Sequence, residues 1–127
     1  MNTVQLIGRL TRDPDAGHTA GGTAVTRFRL AVDRPGRDGA DFVTVKTWDR
    51  LADAAAEHLS RGRRVAVQGR LSHEEWTGSD GRRAERLVVV ADRVEFLDPP
   101  ATHRQLEGGG DQAVRGEAVT ATVEGAR

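Results

Sequence analysis

An all-β fold of five strands, with one helix between the third and the fourth, is predicted by three observations. Five segments rich in β-branched residues are bounded by turn-formers: Thr3 to Leu10, Thr23 to Asp33, Asp41 to Trp48, Arg63 to Trp76 and Glu85 to Leu97. One Ala-rich segment, Arg50 to Leu59, has helical composition. Within the strands, apolar residues alternate with cations and large rings, so each strand has a core side and an outer side. This order is the one used by the five-stranded OB-fold barrel, in which the helix plugs one end and one outer face takes up oligonucleotides or oligosaccharides. An SH3-like barrel is the competing arrangement, and it normally lacks a helix at that point.

The elements follow in order. The first strand is separated from the second by DPDAGHTAGG, which reads as a loop from its Pro, Asp and Gly content. Alternation in the second strand directs Thr26, Phe28, Leu30 and Val32 inward and Arg27 and Arg29 outward. In the third it directs Val43, Val45 and Thr47 inward, with Phe42, Thr44, Lys46 and Trp48 outward. The helix places Leu51, Ala54, Ala55, His58 and Leu59 on one stripe and stops at Arg61-Gly62. The fourth strand gives Val65, Val67, Gly69 and Leu71 inward and Arg64, Gln68, Arg70 and Trp76 outward. TGSDG, between the last two strands, suits a hairpin with Gly at a positive-φ position. Residues 1–100 therefore form one domain. Residues 101–127, with Gly108, Gly109 and Gly110 and no aromatic, are expected to be a disordered tail.

A chain of 127 residues can bury a single core without metal or disulfide. The absence of cysteine excludes a disulfide framework, a thiol nucleophile and thiolate zinc sites, and it suits a reducing cytoplasm. Arg9 interrupts the opening residues before a secretory segment could form, and the longest apolar run, Leu87 to Ala91, is far below membrane-spanning length. A cytoplasmic location without membrane association is expected. The 19 basic and 19 acidic residues cancel, so overall charge lacks the basic bias of many nucleic-acid binders. Lys46 is the only lysine, and a GC-rich coding sequence is the leading explanation of that Arg preference.

The two Trp and three Phe are the only aromatics, and Phe42, Trp48 and Trp76 fall on outward strand positions among Arg and Lys. Large rings forgo apolar burial there unless something covers them. Single-stranded nucleic acid suits such a surface, since bases stack on rings at roughly 1–3 kcal/mol each while cations follow the phosphates. A subunit interface over Phe42 and Trp48, or a carbohydrate or other flat ligand, fits the same pattern. Other constellations are weaker. His73-Glu74-Glu75 has the H-x-E spacing of zinc deaminases, but the P-C-x-x-C partner cannot exist without cysteine. His18, His58 and His103 have no ligand spacing between them, and no nucleophile triad or phosphate-cradling loop occurs. Neither a metal nor a cofactor is expected.

Four linked segments carry a resemblance: MNTVQLIGRLTRDP; GGTAVTRFRLAV; DFVTVKTWDRLADAAAEHLSRGRRVAVQGRL; and EEWTGSDGRR followed by VVVADRVEFL. In order and spacing the chain resembles the bacterial single-stranded DNA-binding protein family over nearly all of residues 1–97. The resemblance implies an OB-fold, no catalytic activity, and assembly as a homotetramer around which single-stranded DNA wraps. It implies that Phe42, Trp48 and Trp76 are base-stacking rings, Phe42 standing where many members have Trp and Trp48 where many have Phe. Arg27, Arg29, Lys46, Arg50 and Arg70 then line the DNA track, and Arg82 and Arg83 lie on the hairpin that reaches along it. Arg64 and Ala66 match positions near the contact between dimers, and the first strand would pair with its copy in a neighbouring subunit.

Three departures from the family pattern are visible. No stacking Trp stands near Pro35 and Gly36. Glu74 and Glu75 precede Trp76 where relatives often have basic residues, and carboxylates there repel phosphate, so weaker and more salt-sensitive binding than a typical member's is expected. The last residues are TATVEGAR, without the acidic run and Pro-Phe tip that docks replication and repair enzymes in relatives. The chain looks like a short second paralogue of the kind seen in high-GC actinobacteria, and a truncated or divergent main protein is the alternative. The expectation is sequence-tolerant binding and protection of single-stranded DNA in replication, recombination or repair, in a nucleoid-associated protein. An OB-fold subunit that binds only other proteins is the rival.

Overall fold

The computed structural model describes residues 1–97 and the backbone of Thr122–Glu124. Strands β1 (Val4–Leu10), β2 (Asp15–His18), β3 (Ala24–Asp33) and β4 (Ala40–Trp48) lead into helix α1 (Asp49–His58), which is followed by β5 (Arg64–Thr77), β6 (Arg83–Phe96) and β7 (Thr122–Glu124). The five long strands close on themselves in the order β1-β5-β6-β4-β3, with β3 returning to β1 through Arg9↔Ala31 and Leu10↔Leu30. Each long strand and the helix lie within two residues of the predicted bounds.

The ring closes because its inward residues form one core. Leu10, Phe28, Leu30, Val45, Val65, Val67, Val89 and Val94 meet Leu51 and Ala55 of α1, which covers the end of the ring, and Leu59 just after it. Two buried threonines are satisfied internally: Thr26 Oγ1 of β3 donates to the Ala52 carbonyl of α1 at 2.8 Å and ties the helix to the sheet, and Thr47 Oγ1 of β4 donates to the Thr26 carbonyl of β3 at 2.8 Å. Satisfying both hydroxyls internally lets Thr occupy core positions that would otherwise require apolar residues. Gly69 permits a close crossing, since a Cβ there would stand 2.1 Å from the Val90 carbonyl oxygen. The β5–β6 register shifts at the same point, between Gln68 and Gly69, leaving Asp92 as the extra residue.

Several local expectations are corrected. The segment read as a loop after β1 contains β2, which pairs with β3 from Asp15↔Arg27 to His18↔Ala24. All four β2 residues are exposed, so no apolar alternation announces the strand. Leu71, expected in the core, is 43% exposed. It pairs with Val89 at the last rung of the ring, beyond which β5 and β6 project as a two-stranded hairpin to Thr77↔Arg83. On α1 the buried residues are Leu51, Ala52 and Ala55, whereas His58 stays exposed with its ring 5.9 Å from that of Phe96. The hairpin turn has Gly81 at φ 82, the positive-φ glycine that TGSDG implied. In the expected tail, 101–127, Thr122–Glu124 pair as β7 with Arg93–Glu95 of β6, and the rest lies outside the described residues.

Candidate nucleic-acid interface

β3 and β4 pair in a register that sets their outward residues side by side: Arg27↔Lys46, Arg29↔Thr44, Ala31↔Phe42 and Val25↔Trp48. β4 ends at Trp48 because the next residue, Asp49, turns sharply into the helix at φ 58, a left-handed conformation that Asp tolerates better than most residues. The sharp break keeps Trp48 on the strand face. From the other side the projecting hairpin brings Arg70, Ser72, Glu74 and Trp76 of β5 to the same surface, with Arg86 of β6 directly opposite Glu74.

Each candidate ring carries a cation. The Arg29 guanidinium lies 4.4 Å from the centre of the Phe42 ring, Lys46 Nζ 4.7 Å from that of Trp48, and the Arg86 guanidinium 5.1 Å from that of Trp76. Phe42 is 56% and Trp76 45% exposed, while Trp48 is half-buried. Lys46, Trp48, Arg70, Ser72, Glu74 and Val90 line a groove of about 330 Å³. A second groove, of about 400 Å³, is lined chiefly by Arg12, Asp15, Arg27, Arg29, Thr44 and Arg86.

Glu74 joins the cations. Its carboxylate accepts from Lys46 Nζ at 2.8 Å, Arg27 Nη1 at 3.2 Å and Arg86 Nε at 3.3 Å, and its side chain is only 18% exposed. Burial would raise its pKa, but the hydrogen bonds and charges of Lys46 and Arg27 outweigh this and lower it from 4.5 to about 2. Glu75 points to the opposite side of the hairpin, as strand alternation requires, and is hydrogen-bonded to Arg83. On that side His73 Nε2 is 2.5 Å from Glu85, and ligating atoms of His73, Glu75 and Glu85 come within 4.8 Å of one another, although His73 and Arg83 already partner both carboxylates.

Of the sequence-predicted residues, Arg27, Lys46, Trp48, Arg70 and Trp76 are gathered around Glu74, and Arg29 and Phe42 continue the surface. Arg83 is directed away from it by Glu75, Arg82 sits in the hairpin turn, and Arg50 lies exposed in the first turn of α1. Arg12 and Arg86 were not singled out from sequence. Arg86 could have been found by counting back from the hairpin turn, which sets Glu74 opposite it.

Residues 1–97 match the model of the single-strand binding protein family. A single-stranded DNA-binding protein of Clostridium tetani is 45% identical over 103 residues, covering 77% of this chain and 71% of its own length. Another, from Oceanobacillus iheyensis, is 39% identical over 118 residues, covering 89% of this chain and 71% of its own. Single-stranded DNA-binding protein 3 of Clostridium acetobutylicum is 42% identical over 103 residues, which is 77% of this chain and 72% of its own length. With an OB ring, a surface of capped rings and these matches in agreement, the chain belongs to the single-strand binding protein family.

Proposed function

We propose that this protein binds single-stranded DNA with little sequence preference across the outer face of β3, β4 and the β5–β6 hairpin, protecting it during replication, recombination or repair. The observation that carries the reading is the set of three exposed or half-exposed rings on one surface, each beside a cation. A ring offers a stacking platform to any base, and a neighbouring Arg or Lys neutralises phosphate, so affinity arises without a hydrogen-bond code. Binding of this kind involves no chemical step.

A homo-oligomer, specifically a homotetramer, is part of the proposal. β5 pairs with β1 along Val4–Arg9, whereas β3 takes the other edge only at Arg9 and Leu10. Among the described residues, that leaves the edge of β1 before Arg9 open to a copy of itself, beside a groove of about 540 Å³ lined in part by Gln5, Ile7, Ala66 and Gln68. Among the described residues no helix is long and apolar enough to cross a membrane, and the site proposed for the protein's work is the nucleoid.

Titration with oligo-dT at low and high salt, read by Trp fluorescence with duplex DNA as control, tests the reading. Quenching by the single strand that salt relieves and duplex does not produce is expected. No binding would favour the rival, an OB-fold subunit that recognises other proteins.

A further inference from the structure

One carboxylate holds the cations of two different rings. Lys46, over Trp48, donates to Glu74 Oε2, while Arg86, over Trp76, donates to Glu74 Oε1, and Arg27 shares that second oxygen. The three contacts come from β3, β4 and β6 and converge on β5, so Glu74 ties together every element of the surface except the Phe42 end. A phosphodiester carries the same single negative charge as this carboxylate. Three cations around one carboxylate leave two net positive charges, enough to attract a strand but fewer than the residues present could offer.

We propose that Glu74 is a built-in competitor for the strand, a latch that keeps Lys46 and Arg86 over Trp48 and Trp76 until phosphates draw those cations away. The inference rests on the single-stranded DNA reading and adds a regulatory element to that site. Drawing Lys46 toward a phosphate breaks its bond to Oε2 and uncovers Trp48, whereas Arg86 has to be drawn from Oε1 by a phosphate of its own before Trp76 is uncovered. The Arg29–Phe42 pair has no bond to this carboxylate and is available from the start.

Glu74→Gln keeps the size of the side chain and removes its charge. Full-length wild type, E74Q and the control E57Q, altered at a helix residue whose side chain is 74% exposed, are titrated with oligo-dT across a salt series. Freeing about one further cation steepens the E74Q salt slope by about 0.7, which over a roughly 20-fold salt range makes binding about 5–10-fold tighter at the low-salt end. E57Q is expected to follow the wild type. Glu74→Ala should change the slope in the same direction, which keeps the test valid should the Gln variant fold poorly. Equal slopes for wild type and both Glu74 variants, with binding intact, would overturn the latch and leave the DNA reading standing, as would an equal gain in E57Q. Failure of every protein to bind would overturn both.

Discussion

Phe42 and Trp48 lie toward opposite ends of β4, each under a cation, yet the two ends are differently prepared. At the Phe42 end Arg29 covers the ring at 4.4 Å, and no ion pair to Arg29 occurs among the described residues. At the other end Lys46 covers Trp48 while bonded to Glu74, which also holds Arg27 and Arg86. A cation beside a ring is therefore an incomplete description of a stacking site. What the cation must give up when a strand arrives decides how much of its charge counts toward binding.

The largest way to break this comparison is to discharge Glu74. Its pKa in the folded protein is lowered to about 2 from 4.5, so its ion pairs stabilise the fold fully above about pH 4.5 and are lost as pH falls toward about 2. The contribution is at most about 3 kcal/mol. In urea unfolding followed across that window, wild type should lose more stability than E74Q, which has no carboxylate to protonate. Parallel acid curves would show that the loss comes from other carboxylates. Removing the latch thus separates two properties: E74Q is expected to be the less stable protein and the tighter binder.

Truncating the rings is next in size. Trp48→Ala should lose on the order of 1–3 kcal/mol of binding with the fold intact, because the half-buried ring stands on the outer face and is not one of the described residues that form the buried cluster. Phe42→Ala should fall toward the lower end of that range, since the smaller ring offers less stacking area. Normal oligo-dT affinity for Trp48→Ala would move the strand off this face.

Local patterns told where strands and helix begin and end, and which residues face the core, because alternation and turn-formers act over a few positions. The chain order of strands and helix, and with it the likeness to the OB-fold, followed from them, as did the outward surface of β3 and β4; the order of strands around the ring is read only from the structure. Leu71 was misplaced because alternation continues past the point where β5 leaves the ring. β2 was missed because a strand exposed on every residue has no apolar period. The contacts of Glu74 were beyond local pattern altogether: Arg27 is 47 positions away and Lys46 is 28. Sequence marked Glu74 as a charge that repels phosphate and makes binding more salt-sensitive; the fold gives it three cationic partners, and the proposed competition for those cations makes the wild-type salt slope shallower, not steeper.

The finest test sets the two ends of β4 against each other in a double-mutant cycle. If Glu74 withholds Lys46 from the strand, part of the stacking gain at Trp48 in the wild type is spent on opening that contact, whereas in E74Q the ring is engaged without it. Trp48→Ala should then cost more in the E74Q background than in wild type, by about 0.5–1 kcal/mol, the lower part of the range for residues in one charge network. Phe42→Ala, outside the network, should cost the same in both backgrounds within about 0.3–0.5 kcal/mol. Additivity at Trp48 would mean that Lys46 moves to phosphate without disturbing the ring. Coupling at Phe42 as large as at Trp48 would mean that Glu74 acts through the general field of the face, so that the two ends of β4 form one site.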